Sequence, residues 1–447
     1  MTMRKFPVEK VAFAFSVLVL VFVYGYSARQ NGFFPDQILR QVQAEASNIW
    51  YQPSLTTRVH ERHGVRVEDS SAVQPGLTFI NSFWKGEDGW YAGFQLINRE
   101  GETLHRWRVD RGTLFPDSVE RRGAPEHKIL HGSHLFPNGD VLFNAEYVGA
   151  VRMDACGDVR WQLPEGNHHS ITRAEDGTFW ISGLTEELRT KSQQYPNGYP
   201  GIDKPVWIDQ LHHVSADGTL LNRINVLDLL YSNNLERYIV KAWQPHAGDQ
   251  QPRTKDITHL NDVEPLSSSM ADEYPLFEAG DLVVSLRKIS LVFVVDPDTG
   301  EVKWHTSDPL IMQHDPDFIG DGWIGIFDNN RNFTDRGRML GGSRIVAVQP
   351  HTDSVEIRFP TPTSDLLYTD TQGMWQQLPN DNMLLAEAKA GRILEVAPDG
   401  RTVWEWIIEP YNKSKVSRIS EMARHDVSRS DVASWPCSSV DSVQAAP

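Results

Sequence analysis

The sequence predicts an all-β protein, a six-bladed β-propeller that follows an N-terminal transmembrane helix and a short helical stalk. The propeller is predicted by a turn, strand and hairpin repeat that occurs six times, and by the lack of a long helical pattern between about Leu77 and Ile408. The transmembrane helix is predicted by an uncharged apolar stretch that follows basic residues near the N-terminus.

The N-terminal segment predicts an uncleaved membrane anchor. Residues 1–10 carry basic side chains and are expected to form a cytoplasmic stub before the apolar stretch over residues 11–28. A cleaved signal peptide is the alternative, but Tyr26 stands where a small residue should precede a cut after Ala28. We therefore expect a single-pass membrane protein whose propeller lies on the periplasmic or extracellular side.

The rest of the chain divides into a stalk, the propeller and a tail. Residues 29–76 form the predicted stalk, which includes a short amphipathic helix from Pro35 to about Tyr51. The propeller is expected over residues 77–410. Residues 411–447 are polar and Ser-rich, so we expect them to form a partly disordered tail.

The repeat has two halves that alternate along the chain. The first half is a turn followed by a strand, and its copies begin at Asp88, Asn138, Asp176, Gly280, Asp321 and Asn380. The second half is a hairpin, and its copies end at Trp107, Trp161, Ile224, Trp304, Phe359 and Trp406. One copy of each half makes a four-stranded blade, and six blades close a ring that leaves no long exposed sheet edge.

Insertions enlarge the third blade over Leu184–Val206 and the fourth over Ser267–Phe277. Long insertions in a propeller either shape a site on one face or are tolerated surface loops.

The formal net charge of −16 argues against a nucleic-acid partner, because phosphate binding needs a basic surface. A bond between the two cysteines, Cys156 and Cys437, is possible in an oxidising compartment, but the Ser-rich tail around Cys437 argues against it.

Four histidines share one phase of the repeat. His131, His169 and His314 each lie eight residues before the glycine of a blade's turn, and His259 holds the same local position in the fourth blade. The first strand of each blade lines the central channel of a propeller, so these side chains are expected to converge at one mouth of the channel. A single such histidine is more often structural, whereas several at one phase indicate a site.

Other polar residues are expected around the histidines. Gln372 takes the equivalent position in the sixth blade and Asn81 in the first, while Arg287 follows the turn of the fourth blade and is expected to point into the same space. Asp262 and Asp315 either orient imidazoles by accepting an N–H or cap the turns before their strands.

This set of groups favours transfer of a small anionic group. A neutral imidazole is a nucleophile, a general base or a metal ligand, and an arginine binds sulfate, phosphate or carboxylate. The sequence has no Ser-nucleophile motif, phosphate-binding Gly loop or dinucleotide fingerprint, and no cofactor is expected. A metal-dependent hydrolase is the main chemical alternative, although carboxylate ligands do not share the histidine phase.

Several segments resemble the bacterial arylsulfotransferase family. They are HLNDVEPL from His259, GDLVVSLRK from Gly280, QHDPDFIGDGWIGIFDN from Gln313 and QQLPNDNMLLAEA from Gln376. The resemblance implies a periplasmic or extracellular six-bladed propeller that moves a sulfuryl group between phenols without a nucleotide donor. It also implies a histidine that becomes sulfated, with other histidines and an arginine on the sulfate oxygens.

Carried onto this sequence, the resemblance implies that His314 is the nucleophile and that His169, His259 and Arg287 support it in catalysis. Residues expected to bind substrate are His131, Asn261 and Gln372. The implied partners are a small phenolic sulfate donor and a phenol acceptor, with no metal. We expect an anchor and stalk in place of the family's extra N-terminal β domain, and the two cysteines are not the family's closely spaced pair. A non-catalytic, membrane-tethered propeller that binds an envelope partner or a small anionic ligand is the alternative function.

Overall fold

The structure is a computed structural model that describes residues 8–31, 55–56, 58–86, 89–115, 129–242, 255–332 and 341–437. The chain divides into two units, Met1–Gln52 and Pro53–Pro447. In the first unit the described part is helix α1, Val8–Asn31. Within the described ranges, no helix is both long and apolar enough to cross a bilayer. The stalk helix predicted from Pro35 lies outside the described residues.

The second unit is built from strands joined by tight turns. Its strands are β1 Leu55–Thr56, β2 Gly64–Val67, β3 Leu77–Gly86, β4 Gly89–Ile97, β5 Thr103–Val109, β6 Leu130–Leu135, β7 Val141–Ala145, β8 Gly149–Met153, β9 Val159–Leu163, β10 Ile171–Arg173, β11 Phe179–Leu184, β12 Asp209–Val214, β13 Leu220–Asn225, β14 Leu260–Pro265, β15 Leu282–Leu286, β16 Leu291–Val295, β17 Val302–Thr306, β18 His314–Phe318, β19 Ile324–Asp328, β20 Arg344–Gln349, β21 Ser354–Phe359, β22 Trp375–Gln377, β23 Met383–Glu387, β24 Arg392–Val396, β25 Thr402–Ile407, β26 Val416–Ser417 and β27 Ile419–His425. Its α-helices are α2 Arg111–Leu114, α3 Val226–Ser232 and α4 Arg429–Ser434. Short 3-10 helices cover Glu236–Ala242, Ala271–Glu273, Arg287–Ile289 and Ala388–Ala390.

Within the described residues, six antiparallel sheets of four or five strands form the blades. From the channel outwards, blade 1 is β27-β3-β4-β5, blade 2 is β6 to β9, blade 3 is β10 to β13, blade 4 is β14 to β17, blade 5 is β18 to β21, and blade 6 is β22 to β25. Strand β2 adds a fifth, outermost strand to blade 6. The predicted six-bladed, all-β architecture is therefore confirmed.

The burial of the strands follows their position in the blade. β16 (LVFVV) is buried along its whole length, because it is packed between the faces of neighbouring blades. β21 (SVEIRF), the outermost strand of blade 5, exposes all but its last residue. The turns have the predicted chemistry. Asp176 accepts a hydrogen bond of 2.9 Å from the main-chain N of Thr178, while Gly177 takes a φ of 85° that glycine adopts without a Cβ clash.

The ring closes through the C-terminal part of the chain, which corrects the predicted domain boundary at residue 410. β27 pairs with β3, with Met422 opposite Ile80, and supplies the innermost strand of blade 1. Residues 411–437 of the predicted tail are thus ordered, and the remainder lies outside the described residues. Asn81 consequently lies on the second strand of the blade, where its Nδ2 donates to the Leu130 carbonyl oxygen at 2.9 Å.

A disulfide joins Cys156 and Cys437, contrary to the expectation from the Ser-rich tail. The tail is held because α4 starts with a capping box and Trp435 packs against the turn of blade 2. The Trp435 indole N–H donates to the Pro137 carbonyl oxygen at 2.8 Å. These contacts bring Cys437 to the turn that contains Cys156.

Both predicted insertions are ordered and pack on the propeller. In the third-blade insertion, the hydroxyls of Ser192 and Tyr199 donate to Asp228 Oδ1 of α3 at 2.6 and 2.7 Å. In the fourth-blade insertion, Tyr274 joins the apolar core shared with blade 5, and its hydroxyl donates to the Trp323 carbonyl oxygen at 2.6 Å.

Candidate functional site

Four of the six innermost strands share a distortion near the start of the strand. Among the described strands, register shifts occur at His131/Ser133 in β6, Leu260/Asp262 in β14, His314/Pro316 in β18 and Ile419/Glu421 in β27. Such bulges redirect side chains and are frequent beside active sites. Gly132 in the bulge of β6 permits a close approach of backbones, because a Cβ there would lie 1.8 Å from the His169 carbonyl oxygen.

The four predicted histidines do come together with Arg287. The ring centroids of His131 and His169 lie 4.4 Å apart, and those of His169 and His259 lie 4.9 Å apart. Burial holds the pKa of His314 well below its usual value, and the Arg287 guanidinium and His259 lower it further. The repeat phase thus identified side chains that share one end of the channel.

His314 is oriented by Asn329. The Asn329 Nδ2 donates to the carbonyl oxygens of Thr369 and Gln372 at 2.8 and 2.5 Å, which leaves Oδ1 facing His314 Nδ1 at 2.5 Å. An amide oxygen only accepts, so Nδ1 of His314 carries the proton. Its Nε2 has no hydrogen-bond partner within the described residues and, with the lowered pKa, carries a lone pair.

His259 is oriented by a carboxylate. Its Nδ1 lies 2.5 Å from Asp256 Oδ2, and Lys288 Nζ lies 3.2 Å from the same oxygen. The carboxylate accepts the Nδ1–H, so a ligand meets His259 through the other side of the ring. The orienting acid is therefore Asp256 and not the neighbouring Asp262 considered from the sequence.

His169 is oriented by its neighbour in the sequence. The Nδ1 atoms of His168 and His169 lie 2.8 Å apart, and His169 adopts a φ of 50°, which is uncommon for a residue with a Cβ. Burial holds the pKa of His169 well below its usual value, and the nearby His131 and His259 lower it further. The imidazole is therefore neutral near pH 7.

The remaining predicted site residues differ in their contacts. Gln372 Nε2 lies 3.4 Å from His131 Nε2, which places it at the edge of the histidine cluster. Asn261 instead joins blades 4 and 5, because its Nδ2 donates to the Gln313 carbonyl oxygen at 2.8 Å. Its Oδ1 is buried without a hydrogen-bond partner among the described residues.

A family model described as Arylsulfotransferase (ASST) matches residues 132–409, which is more than half of the chain and runs from β6 to just after β25. The chain belongs to the arylsulfotransferase family. It is a transferase-like enzyme of that family, as the resemblance predicted. None of the curated proteins compared with the chain matches it.

Several solved structures are similar to this arylsulfotransferase-family chain. A protein of unknown function from Bacteroides caccae is 11% identical, with a TM-score of 0.47 over 78% of this chain and 98% of that chain. Streptogramin B lyase is 12% identical, with a TM-score of 0.39 over 81% and 97%. The WD40 propeller domain of Doa1 is 11% identical, with a TM-score of 0.38 over 82% and 88%. At this distance they add nothing to what the family match says.

The charged groups around the histidine cluster decide between an anion and a metal ion as its ligand. His131, Glu146 and His169 offer ligand atoms within 4.8 Å of one another, a spacing that suits a metal ion. However, burial lowers the pKa of His131 to about 3, and the guanidiniums of Arg418 and Arg287 contribute to this shift. The two guanidiniums attract an anion, although the carboxylates of Glu146 and Asp256 lie near them and offset part of their charge.

A second polar cluster lies further along the innermost strands of the same channel. Burial raises the pKa of Asp262 well above its usual value and that of Asp315 to about 7, and nearby acids add to both shifts. Burial also raises the pKa of Glu421 to about 8. Asp315 does not orient an imidazole, since its Oδ2 accepts from the main-chain N of Trp375 at 2.7 Å. At pH 7, Glu421 is therefore mainly protonated and Asp315 about half protonated.

Sequence reasoning missed His168, Asp256, Asn329 and Arg418. Asp256 lies three residues before His259, and His168 lies one residue before His169. This closeness in the sequence was the signal that could have identified them. Asn329 follows the second strand of its blade and touches His314 only through the fold. Arg418 lies in the closing segment that was assigned to the tail.

Proposed function

We propose that this protein transfers a sulfuryl group from a phenolic sulfate to a phenol through an N-sulfohistidine at His314. The observation that carries the proposal is the Nε2 lone pair of His314, which is held in place by Asn329 beside the Arg287 guanidinium. A fixed neutral imidazole next to an arginine suits attack on an anionic group, because the arginine offsets the charge that otherwise repels a nucleophile.

In the first step, the lone pair of His314 Nε2 attacks the sulfur of the aryl sulfate. The bond between sulfur and the phenolic oxygen breaks, and the phenolate leaves with the electron pair. The imidazole becomes positively charged, and its Nδ1–H keeps its hydrogen bond to Asn329 Oδ1. Bonds to a charged group are roughly twice as strong as neutral ones, so this contact strengthens as the charge develops.

Arg287 is the group that binds the sulfuryl oxygens in this scheme. Its Nε is buried without a hydrogen-bond partner among the described residues, a costly arrangement unless a ligand supplies the acceptor. His259, backed by Asp256, lies on the same cluster and supports the oxygens as they gain charge. Positioned donors of this kind typically account for a large part of a rate enhancement.

In the second step, an acceptor phenol loses its proton to a neutral imidazole of the cluster. Its oxygen attacks the sulfur, the bond between sulfur and His314 Nε2 breaks, and the electron pair returns to the imidazole. Division of the exchange into two displacements predicts ping-pong kinetics.

Turnover of a chromogenic aryl sulfate tests the proposal. Purified protein is expected to release nitrophenol from 4-nitrophenyl sulfate when a phenol is added, and His314→Ala is expected to abolish transfer. His105→Ala is the matched control, because His105 is also a buried histidine. It lies in blade 1, and its Nε2 donates to the Ala155 carbonyl oxygen of blade 2 at 2.8 Å. Full activity in folded His314→Ala, or no turnover by the folded native protein with several acceptors, would count against the proposal.

An exported location is part of the proposal. The basic residues before the apolar N-terminal stretch support it, as does the disulfide, because disulfides persist in oxidising compartments. We place the propeller on the periplasmic or extracellular side. Protection of the propeller from protease in intact cells, with cleavage after outer-envelope permeabilisation, distinguishes a periplasmic location from an intracellular one.

A further inference from the structure

A buried histidine lies directly behind the site. His168 has no solvent exposure, and both of its ring nitrogens are engaged. Its Nε2 lies 3.0 Å from the Gly183 carbonyl oxygen, and its Nδ1 lies 2.8 Å from Nδ1 of His169. The Tyr147 ring packs against it at a centroid distance of 5.2 Å.

The hydrogen bonds determine which nitrogens carry protons. A carbonyl oxygen only accepts, so Nε2 of His168 must carry a hydrogen. If His168 is neutral, its Nδ1 then carries a lone pair and accepts a hydrogen bond from Nδ1–H of His169. His169 is neutral because of its lowered pKa, so its remaining nitrogen, Nε2, carries a lone pair. The pair thus presents a base on the channel side of His169.

A fixed carboxylate lies at the far end of this pair. Asp209 Oδ1 is 3.6 Å from His168 Nε2, and Asp209 Oδ2 accepts hydrogen bonds from Thr258 Oγ1 at 2.5 Å and from the main-chain N of Leu260 at 2.9 Å. Asp209 has no solvent exposure and lies on β12, the third strand of blade 3. Asp209, His168 and His169 therefore form a row that runs from the blade interior to the channel.

The row suits an imidazole that alternately gains and loses a proton. When His169 Nε2 takes a proton, positive charge develops in a buried site, where an unpaired charge is costly. The hydrogen bond from His169 Nδ1–H to His168 strengthens with that charge, and the Asp209 carboxylate offsets it from behind. His259 differs, because Asp256 and Lys288 already hold its Nδ1 side in a charged network.

We propose that His168 is a positioning residue that makes His169 the base for the acceptor phenol, and this inference rests on the proposed function. In the step, the phenol O–H bond breaks and the proton moves to His169 Nε2. The phenolate oxygen forms a bond to the sulfur of sulfated His314, and the sulfur–nitrogen bond breaks. The proton on His169 is then available to the phenolate that leaves in the next transfer.

Two variants of His168 separate orientation from charge sharing. His168→Leu removes the acceptor for His169 Nδ1–H, whereas His168→Asn keeps an acceptor oxygen near the place of Nδ1 but no ring to share charge. The readout is the rate of transfer to acceptors of graded acidity, from nitrophenols to methylphenols. 4-Nitrophenol is already about half ionised near neutral pH, whereas a methylphenol is almost wholly protonated, so 4-nitrophenol needs the base least.

His168→Leu is expected to slow transfer to methylphenols on the order of 100-fold, which lies within the range for loss of general base catalysis, and to slow transfer to nitrophenols much less. His168→Asn is expected to fall between the native protein and His168→Leu. The control His105→Leu loses a comparable buried bond to a carbonyl oxygen and is expected to keep the native dependence of rate on acceptor acidity. Nitrogen NMR of the histidines, which is independent of activity, is expected to find the proton of His169 on Nδ1.

Equal slowing of acidic and weakly acidic acceptors in His168→Leu would overturn the inference while leaving the sulfated intermediate intact. The proton of His169 on Nε2 would overturn it even if no His168 variant folded. Failure of the native protein to sulfate His314 would remove the proposed function and this inference together, and that step is measured separately from the burst of phenol released before acceptor is added.

Discussion

Replacement of Asn329 by alanine removes the hydrogen-bond acceptor of the proposed nucleophile and leaves His314 itself in place. Asn329 is fully buried, and its Oδ1 lies 2.5 Å from His314 Nδ1. Without this acceptor the ring is no longer held with its lone pair on Nε2. The positive charge that develops during sulfation also loses its partner.

The size of the effect follows from that single contact. A hydrogen bond to a charged group contributes about 1.5–3 kcal/mol. A neutral hydrogen bond, about 0.5–1.5 kcal/mol, is already present before the reaction. Only the gain of about 1–1.5 kcal/mol as charge develops affects the rate. Since 1.36 kcal/mol corresponds to a factor of ten in rate, Asn329→Ala is expected to slow sulfation of His314 by about 5- to 10-fold. The assay is a single-turnover measurement of nitrophenol release from 4-nitrophenyl sulfate, with the variant in excess and no acceptor present.

Asn81→Ala is the matched control. Asn81 is also a buried asparagine that donates to a carbonyl oxygen of the next blade, at Leu130, but it contacts no imidazole nitrogen. Both variants are expected to lose about 1–3 kcal/mol of unfolding free energy, because each leaves buried carbonyl groups without a donor. If Asn329→Ala sulfates as fast as Asn81→Ala, the orientation of His314 by Asn329 has no role in the reaction.

Three further predictions concern stability and binding. Burial raises the pKa of Glu421 from 4.5 to about 8, so the native state holds a proton that the unfolded chain releases between those values, and stability falls as pH rises through this window. Glu421→Gln should remove about 1.4 kcal/mol per pH unit from that slope in denaturant unfolding, and an unchanged slope would contradict the assignment. Loss of the disulfide in Cys156→Ser should lower the free energy of unfolding by about 2–5 kcal/mol, as should reduction of the native protein. Equal unfolding free energies of the oxidised and reduced protein would show that the bond to Cys437 does not stabilise the fold. Arg287→Lys should lower kcat/KM for aryl sulfates at least about 10-fold, because an ammonium does not reproduce the guanidinium fork, and equal kinetics would exclude Arg287 from sulfate binding.

The sequence predicted the histidine cluster because residues at the same place in each repeat lie at the same place in each blade. His131, His169 and His314 occupy the same place in their blades, so closure of the propeller brings them together independently of the loop lengths. The orienting groups follow no such rule. Asn329 reaches His314 from the end of the neighbouring strand in the same blade, and His168 contacts the Gly183 carbonyl oxygen within its own blade.

The closing strand was missed for a topological reason. β27 has the alternating burial of a strand, but its hydrogen-bonded partner β3 lies at the other end of the propeller sequence. No turn joins the two, so the local signal that marked the other blades is absent. Arg418 immediately precedes β27, so it was not predicted as a site residue because the strand itself was not predicted.

Mass spectrometry of the protein after brief incubation with an aryl sulfate, before any acceptor is added, is the decisive test of the sulfated histidine. We expect a gain of one sulfuryl group, located on His314, that disappears when a phenol is added. His314→Ala should gain none while remaining folded. A folded native protein that releases phenol without becoming sulfated, or that carries the group on a residue outside the channel, would refute the proposed mechanism.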